Sequence, residues 1–126
     1  MAKNHKMTVY LSGPIRGIPR KNYPAFDDVR DRAKKVGYRV ISPVDLNRKD
    51  GIFEETQYTE HQDATSMLRD YNALAKCDCI ILLPGWLNSK GALAELAFAK
   101  YLGLPVLDSM TFKRIETTLR AKVVKP

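Results

Sequence analysis

The sequence predicts an α/β fold in three layers, in which helices cover both faces of a mostly parallel sheet of four to five strands. Short apolar runs, of which 79–83 is the clearest, alternate with longer segments whose apolar residues recur every three or four positions. Gly37 and Gly103 each follow such a segment, where helices commonly stop. Because strands and helices alternate, we expect parallel neighbours joined by right-handed crossovers.

The individual elements follow from these patterns. The predicted strands cover residues 7–11, 38–41, 79–83 and 104–107. The predicted helices cover residues 22–36, 60–77, 89–102 and 111–121. The first of these helices carries Phe26, Val29 and Ala33 at a spacing of three and four. Residues 43–58 are polar and contain an Asp-Gly pair, which predicts a long loop.

The composition is that of a soluble globular chain. With 126 residues, 44% of them hydrophobic and 28% charged, it can bury a core of its own. We expect a single domain over 1–126, with a core over 7–107 and a C-terminal helix and basic tail over 108–126. The sequence has no signal peptide and no apolar stretch of membrane-spanning length, so we expect a cytoplasmic protein without a membrane partner.

The charge is strongly positive, at a formal +7. The basic residues are dispersed along the chain, and no run of five or six like charges occurs. This distribution favours a small anionic substrate, or solubility alone, over binding to nucleic acid.

The two cysteines, Cys77 and Cys79, are separated by one residue, and His5 and His61 are not spaced to complete a metal site with them. We therefore predict no metal, and nothing in the sequence calls for an organic cofactor.

Two carboxylates are candidates for chemistry. Glu95 lies in an apolar helix that follows the buried strand 79–83, so it faces either a ligand crevice or a narrow solvent stripe. Asp70 lies on the preceding helix and could also be a solvated aspartate. Tyr10, in the first strand, is either a hydrogen-bond donor beside them or a core residue. Trp86 follows the strand end, where it could stack on a base or form a hydrophobic lid or subunit contact.

Two segments are candidates for binding phosphate. The turn after the first strand contains Gly13, Arg16 and Gly17, whose amides and guanidinium could hold an anion, although a tight strand-to-helix connection would use the same glycines. Ser89 and Gly91 open a later helix, where the hydroxyl and free amides could bind phosphate or simply cap the helix.

Three motifs together resemble the nucleoside 2-deoxyribosyltransferase-like superfamily. They are the segment 10–17, Asp70 with Cys77-Asp78, and Ser89-x-Gly91-Ala92-x-x-Glu95. The similarity spans most of 7–107 and is nearest to the 2'-deoxynucleoside 5'-monophosphate N-glycosidases and to small uncharacterised phage or prophage members. It implies a Rossmann-like (flavodoxin-like) fold and a homodimer or higher oligomer.

The resemblance also implies roles for individual residues. Glu95 falls on the nucleophile that forms a glycosyl-enzyme intermediate, Asp70 on the acid that contacts the sugar and helps protonate the departing base, and Tyr10 on a tyrosine that supports the nucleophile. Pro14 stands where a serine is common in the monophosphate-specific branch, and Trp86 fits the uncharacterised relatives better. The residues that match the 5'-phosphate site are Gly13, Arg16, Gly17, Ser89 and Gly91.

The sequence thus favours an enzyme that hydrolyses the N-glycosidic bond of a (deoxy)nucleoside 5'-monophosphate through Glu95, or that transfers deoxyribose between bases. The alternative is a non-catalytic protein that binds a nucleotide or nucleotide signal in the same pocket. A third possibility is a structural or nucleic-acid-associated protein, in which the basic surface matters more than the cleft.

Overall fold

The computed structural model describes residues 6–117, in which four strands alternate with four α-helices and two short 3-10 helices. The strands are β1 (Thr8–Ser12), β2 (Arg39–Ile41), β3 (Cys79–Leu82) and β4 (Val106–Asp108). The helices are α1 (Tyr23–Lys35), α2 (Pro43–Lys49), α3 (Glu60–Leu74) and α4 (Lys90–Tyr101). The 3-10 helices are Pro19–Asn22 and Trp86–Asn88. Among the helices of residues 6–117, none combines the length and the apolar character that a membrane span requires.

The four strands form one parallel sheet in the order β2-β1-β3-β4, which confirms the predicted α/β fold. Tyr10 pairs with Ile80, and Ser12 pairs with Leu82. The chain leaves β1 toward β2 on one side and returns to β3 on the other, so β1 and β3 flank the point where the strand order reverses. Open α/β sheets bind ligands in the crevice outside the carboxyl ends of the strands at such a point.

The side chains of alternate residues of β1 pack on opposite faces of the sheet. Val9 and Leu11 belong to the core under α1 and α2, together with Phe26 and Val44. Tyr10 belongs to the other core, whose helical members come from α3 and α4. Because side chains alternate along a strand, Ser12 projects on the same side as Tyr10. Both therefore point toward α3 and α4.

The predicted loop over 43–58 is wrong for its first half, where the chain forms α2. The hydroxyl of Ser42 accepts a hydrogen bond from the amide of Val44 at 3.2 Å, and Pro43 occupies the first turn. Both are helix-start signals. Only Pro43, Val44 and Asn47 of α2 are buried. The rest of this short helix needs no apolar side chains, so its sequence is largely polar. Polarity alone therefore did not distinguish a short surface helix from a loop.

The predicted C-terminal helix over 111–121 is also wrong over residues 111–117, which form a turn and a single bridge between Arg114 and Leu107. The carboxylate of Asp108 accepts hydrogen bonds from the amides of Met110 and Thr111, both at 2.9 Å, and so stabilises the turn. Phe112 has a φ of 60°, which a right-handed helix does not accommodate. Residues 118–121 of the predicted helix and the basic tail, with Lys122 and Lys125, lie outside the described residues.

The remaining boundaries differ from prediction by a few residues. α3 ends at Leu74 rather than at Cys77, and β4 begins at Val106 rather than at Leu104. Asp78 lies in the short turn before β3, where its carboxylate accepts a hydrogen bond from the amide of Thr8 at 2.8 Å. This contact joins the start of β3 to the start of β1.

Candidate active site

A cavity of about 670 Å³ opens at the carboxyl ends of β1 and β3. Its walls come from the loops after β1 and β3, from α2, from Tyr58, from the first three turns of α3 and from the N-terminal half of α4. Asp70 and Glu95, the two carboxylates selected from the sequence, both line it. The cavity therefore occupies the ligand crevice that the strand order predicts.

Glu95 is held by two hydroxyl groups from β1. It lies in the second turn of α4, on the face that buries Ala92, Leu96 and Ala99, and is itself only 5% exposed. The Tyr10 hydroxyl donates to Oε2 at 2.8 Å, and the Ser12 hydroxyl donates to Oε1 at 2.6 Å. Both carboxylate oxygens are thus hydrogen-bonded from one strand, and the solvent-stripe alternative does not apply.

Burial dominates the protonation of Glu95. The pKa of this carboxyl is raised from 4.5 to about 7, mainly by burial and to a smaller extent by the nearby charge of Asp70. The hydrogen bonds from Ser12 and Tyr10 lower it, because they stabilise the ionised form, and the charge of Arg69 does the same. A carboxyl group with this pKa exchanges its proton near neutral pH.

Asp70 is also buried, at 6% exposure, and it accepts hydrogen bonds at Oδ1 from Nε and Nη2 of Arg69 at 2.9 and 2.7 Å. Burial raises the pKa of Asp70 to about 6, against the opposing charge and hydrogen bonds of Arg69. The solvated alternative is excluded by this burial. A carboxyl group with a pKa near 6 is protonated more often at physiological pH than an ordinary aspartate, so it can serve as a proton donor.

Arg69 joins Asp70 to the end of α2. Its guanidinium donates to Asp50 Oδ2 and to Asn47 Oδ1, both at 2.8 Å. Asn47 is 1% exposed and donates in turn to the hydroxyl of Tyr58 at 2.9 Å. This network ties the acid on α3 to a second element of the cavity wall.

The other end of the cavity carries hydroxyl, amide and cationic groups. Ser89 caps α4 by accepting a hydrogen bond from the amide of Ala92 at 3.1 Å, and exposed Lys90 follows it. Arg16 pairs with Asp63 at 3.2 Å and lies over the ring of Tyr58 at 5.6 Å. An anionic ligand would compete with Asp63 for this guanidinium.

Gly13 allows the loop after β1 to pack directly on the exit of β3. A Cβ atom at this position would lie 2.7 Å from Cβ of Leu83, closer than two such atoms can approach. At Gly91 the nearest neighbour of an added Cβ would be Sδ of Met67 at 3.8 Å, an ordinary contact. Gly13 is therefore required by packing, whereas Gly91 is not.

The sequence model of a family described as a domain of unknown function, DUF4406, matches residues 7–108. The chain belongs to the DUF4406 family. No curated protein matches the sequence. Among solved structures, this DUF4406 chain is similar to a 2-deoxyribosyltransferase from Bacillus psychrosaccharolyticus, with a TM-score of 0.59 and 17% identity over 80% of this chain and 70% of that one. This likeness shows that the two chains share a fold.

Most of the predicted site residues of this DUF4406 chain come together, but two do not. Gly13, Arg16, Ser89 and Gly91 line the cavity with the two carboxylates, and Tyr10 lies beneath Glu95. Gly17 lies instead beside a shallower neighbouring cavity. Trp86 is half-buried against the core under α3 and α4 and does not line the main cavity. The predicted stacking of Trp86 on a base thus has no support from its position.

Three residues of the site were missed. Ser12 shares with Tyr10 the alternate positions of β1, but the predicted strand ends at Leu11, one residue before it. Arg69 is adjacent to Asp70 in sequence, yet adjacent helical residues point in different directions, so no spacing rule connects them. Asn47 lies in the segment 43–58, for which the sequence predicts a loop.

The cysteines take no part in the site. Cys77 and Cys79 are free and buried, and burial raises the pKa of their thiols to about 12 and about 11. Over residues 6–117, no group of three His, Cys, Asp or Glu side chains is arranged to hold a metal ion.

Proposed function

We propose that this protein cleaves the N-glycosidic bond of a (deoxy)nucleoside 5'-monophosphate, with Glu95 as nucleophile and Asp70 as general acid. The observation that carries the proposal is the buried pair of carboxyl groups at one end of the cavity, with both oxygens of Glu95 held by hydroxyl donors. The likeness of fold to a 2-deoxyribosyltransferase that serves in the synthesis of nucleosides adds support.

In the first step, a Glu95 oxygen forms a bond to C1' of the sugar while the bond from C1' to the base nitrogen breaks. The electron pair of that bond goes to the base, which takes a proton from Asp70. This is the two-carboxylate logic of retaining glycosidases, applied to an N-glycosidic bond. Covalent catalysis divides one difficult displacement into two easier ones.

In the second step, Asp70 is ionised and accepts a proton from water as the water oxygen attacks C1' and releases Glu95. The products are the free base and a (deoxy)ribose 5-phosphate. If a second base attacks in place of water, the result is transfer of the sugar between bases.

The polar end of the cavity supplies binding energy for the phosphate. Arg16, Ser89 and the N-terminus of α4 lie at this end, and helix N-termini favour anions. Binding the phosphate away from the reacting bond places C1' against Glu95 and so contributes to catalysis.

The test is incubation of the protein with ribo- and deoxyribonucleoside 5'-monophosphates and the matched nucleosides, with free base followed by chromatography. We expect base release from at least one monophosphate, and none above background from the Glu95→Gln variant, because the amide is not a nucleophile. Glu55→Gln, which changes an exposed carboxylate outside the cavity, is the matched control and should retain full activity.

Base release that persists in Glu95→Gln would contradict the proposal. If no base appears but a monophosphate raises the melting temperature of both wild type and Glu95→Gln, the protein is a nucleotide-binding module and the catalytic assignment is wrong.

A further inference from the structure

The carboxylate of Glu95 accepts hydrogen bonds from two hydroxyl groups. The sequence predicts only one of these donors, Tyr10. The second donor is Ser12, whose side chain is completely buried at the carboxyl end of β1. Its hydroxyl lies 2.6 Å from Glu95 Oε1, within the range of short hydrogen bonds to carboxylates.

The backbone around Ser12 is fixed on both sides. Ser12 pairs with Leu82 in β3, and its carbonyl oxygen accepts a hydrogen bond from the amide of Leu83 at 2.8 Å. Tyr10 and Ser12 are two residues apart, so the regular pleat of the central strand sets the separation of the two donors. Side chains placed on strands are held more closely than those on loops.

From this geometry we infer that Ser12 is a positioning residue for Glu95: its hydroxyl fixes the plane of the carboxylate and favours the ionised form. The inference rests on the proposed function, because it concerns Glu95 as nucleophile. With Tyr10 holding Oε2 and Ser12 holding Oε1, rotation about the bond between Cγ and Cδ would move both oxygens away from their donors. One lone pair of each oxygen remains for attack on C1'.

Other groups also face Glu95, and they determine how the effect of Ser12 is measured. Tyr10 approaches from β1, and Arg69, Asp70 and Tyr71 from α3 interact with it electrostatically. Arg69 favours the ionised form, whereas Asp70 disfavours it. A change at Ser12 leaves all four of these groups in place, so a shift in the Glu95 titration reports the lost hydroxyl.

The decisive experiment is an NMR titration of the Glu95 carboxyl carbon in wild type and in Ser12→Ala, since it needs neither substrate nor turnover. We expect the pKa of Glu95 to rise by about one to two pH units in Ser12→Ala, the amount that a hydrogen bond to a charged group is worth. Ser12→Thr keeps the donor and should restore the wild-type value. Ser109→Ala removes the hydroxyl of another buried serine and should leave the titration unchanged.

Kinetics provide the second measurement. We expect Ser12→Ala to lower kcat by roughly 10- to 100-fold, with KM changed little, because misalignment of a reacting group costs rate rather than binding. The loss should be recovered in Ser12→Thr. If Ser12→Ala does not fold, Ser12→Cys fills the same site with a slightly larger side chain and a weaker donor, and it should also raise the pKa of Glu95.

An unchanged Glu95 titration in Ser12→Ala overturns the inference, whatever the activity. A raised pKa in a protein whose wild type releases no base supports the role of Ser12 toward Glu95 and overturns the proposed function instead.

Discussion

At the scale of single residues, burial and hydrogen bonding act in opposite directions on the two carboxyl groups. Burial raises the pKa of both Glu95 and Asp70, since it penalises their charged forms. Hydroxyl donors on Glu95 and the guanidinium of Arg69 on Asp70 limit the rise. The outcome is a pair of acids whose pKa values are shifted toward neutral pH, and these shifts lead to two predictions.

The first prediction concerns the pH dependence of turnover. Glu95 must be ionised to attack, so activity rises with pH through its pKa, while Asp70 must be protonated, so activity falls with pH through its own. The coupled pair has apparent pKa values of about 6 and about 7, and the productive form holds one proton. We expect a bell-shaped profile of kcat/KM with its maximum between these values.

The profile should be measured from about pH 4.5 to about pH 9, together with Asp70→Asn. In that variant the alkaline limb should disappear, since the amide does not titrate. A wild-type profile that is flat across the whole range would show that the pair does not control the reaction.

The second prediction concerns the effect of Glu95 on stability. Its folded pKa of about 7 exceeds the ordinary 4.5, so the folded state binds a proton more tightly than the unfolded state. Stability is therefore fully present at acidic pH and is lost as pH rises from 4.5 through about 7, by roughly 3 kcal/mol. We expect Glu95→Gln to remove this loss and to raise the melting temperature at about pH 8.

Thermal melts of wild type and Glu95→Gln at about pH 5 and about pH 8 test this prediction, with exposed Glu55→Gln as the control. The increase in melting temperature caused by Glu95→Gln should be much smaller at the acidic pH. A Glu95→Gln variant that is less stable than wild type at the alkaline pH would contradict it.

At the scale of elements, the serines that begin α2 and α4 both cap a helix, and for one of them we also propose a role in phosphate binding. Ser42 and Ser89 cap α2 and α4 with the same type of hydrogen bond, at 3.2 and 3.1 Å. Only Ser89 also lines the cavity. The two caps therefore provide a matched pair in which the structural contribution is shared and the proposed contribution to phosphate binding is not.

The third prediction uses this pair. Ser42→Ala and Ser89→Ala should each lower the free energy of unfolding by about 1 kcal/mol, the usual cost of losing a cap. Only Ser89→Ala should also weaken binding of a nucleoside 5'-monophosphate, as measured by calorimetry. Binding of the corresponding nucleoside should be unaffected in both. If nucleoside and monophosphate lose equal affinity in Ser89→Ala, the serine has no specific role toward phosphate.

At the scale of the whole molecule, strand order sets the position of the cavity, and net charge favours the approach of anionic ligands. The order β2-β1-β3-β4 places the cavity at the point where the strand order reverses, between β1 and β3. The chain carries 21 basic and 14 acidic residues, so its field attracts anions before any contact forms.

The fourth prediction follows from that field. Affinity for a nucleoside 5'-monophosphate should fall as salt rises, because the Debye length shortens from about 30 Å at 0.01 M to about 10 Å at 0.1 M ionic strength. The matched nucleoside should bind with the same affinity throughout. Tight duplex DNA binding with a steeper salt dependence than that of the monophosphate would favour a nucleic-acid partner instead.

The fold could be predicted because its signals are local. Runs such as 79–83 and the periodic apolar residues of 22–36 identify strands and helices without knowledge of their partners. The errors occurred where this signal was weak: α2 is short and polar, and residues 111–117 form a turn that depends on the carboxylate of Asp108. Part of the site was predictable for a similar reason, since a carboxylate such as Glu95 is conspicuous in an apolar helix.

The sequence by itself determined the alternation of strands and helices, the two carboxylates and the serine that begins α4, because each depends on residues close together in the chain. Only the tertiary structure decided that Ser12 holds Glu95, that Arg69 links Asp70 to Asn47, and that Trp86 packs away from the cavity. Ser12 and Glu95 are 83 positions apart, and no periodicity within one element relates them. The pKa values of the two acids likewise arise from burial, which exists only once the sheet and its helices have packed.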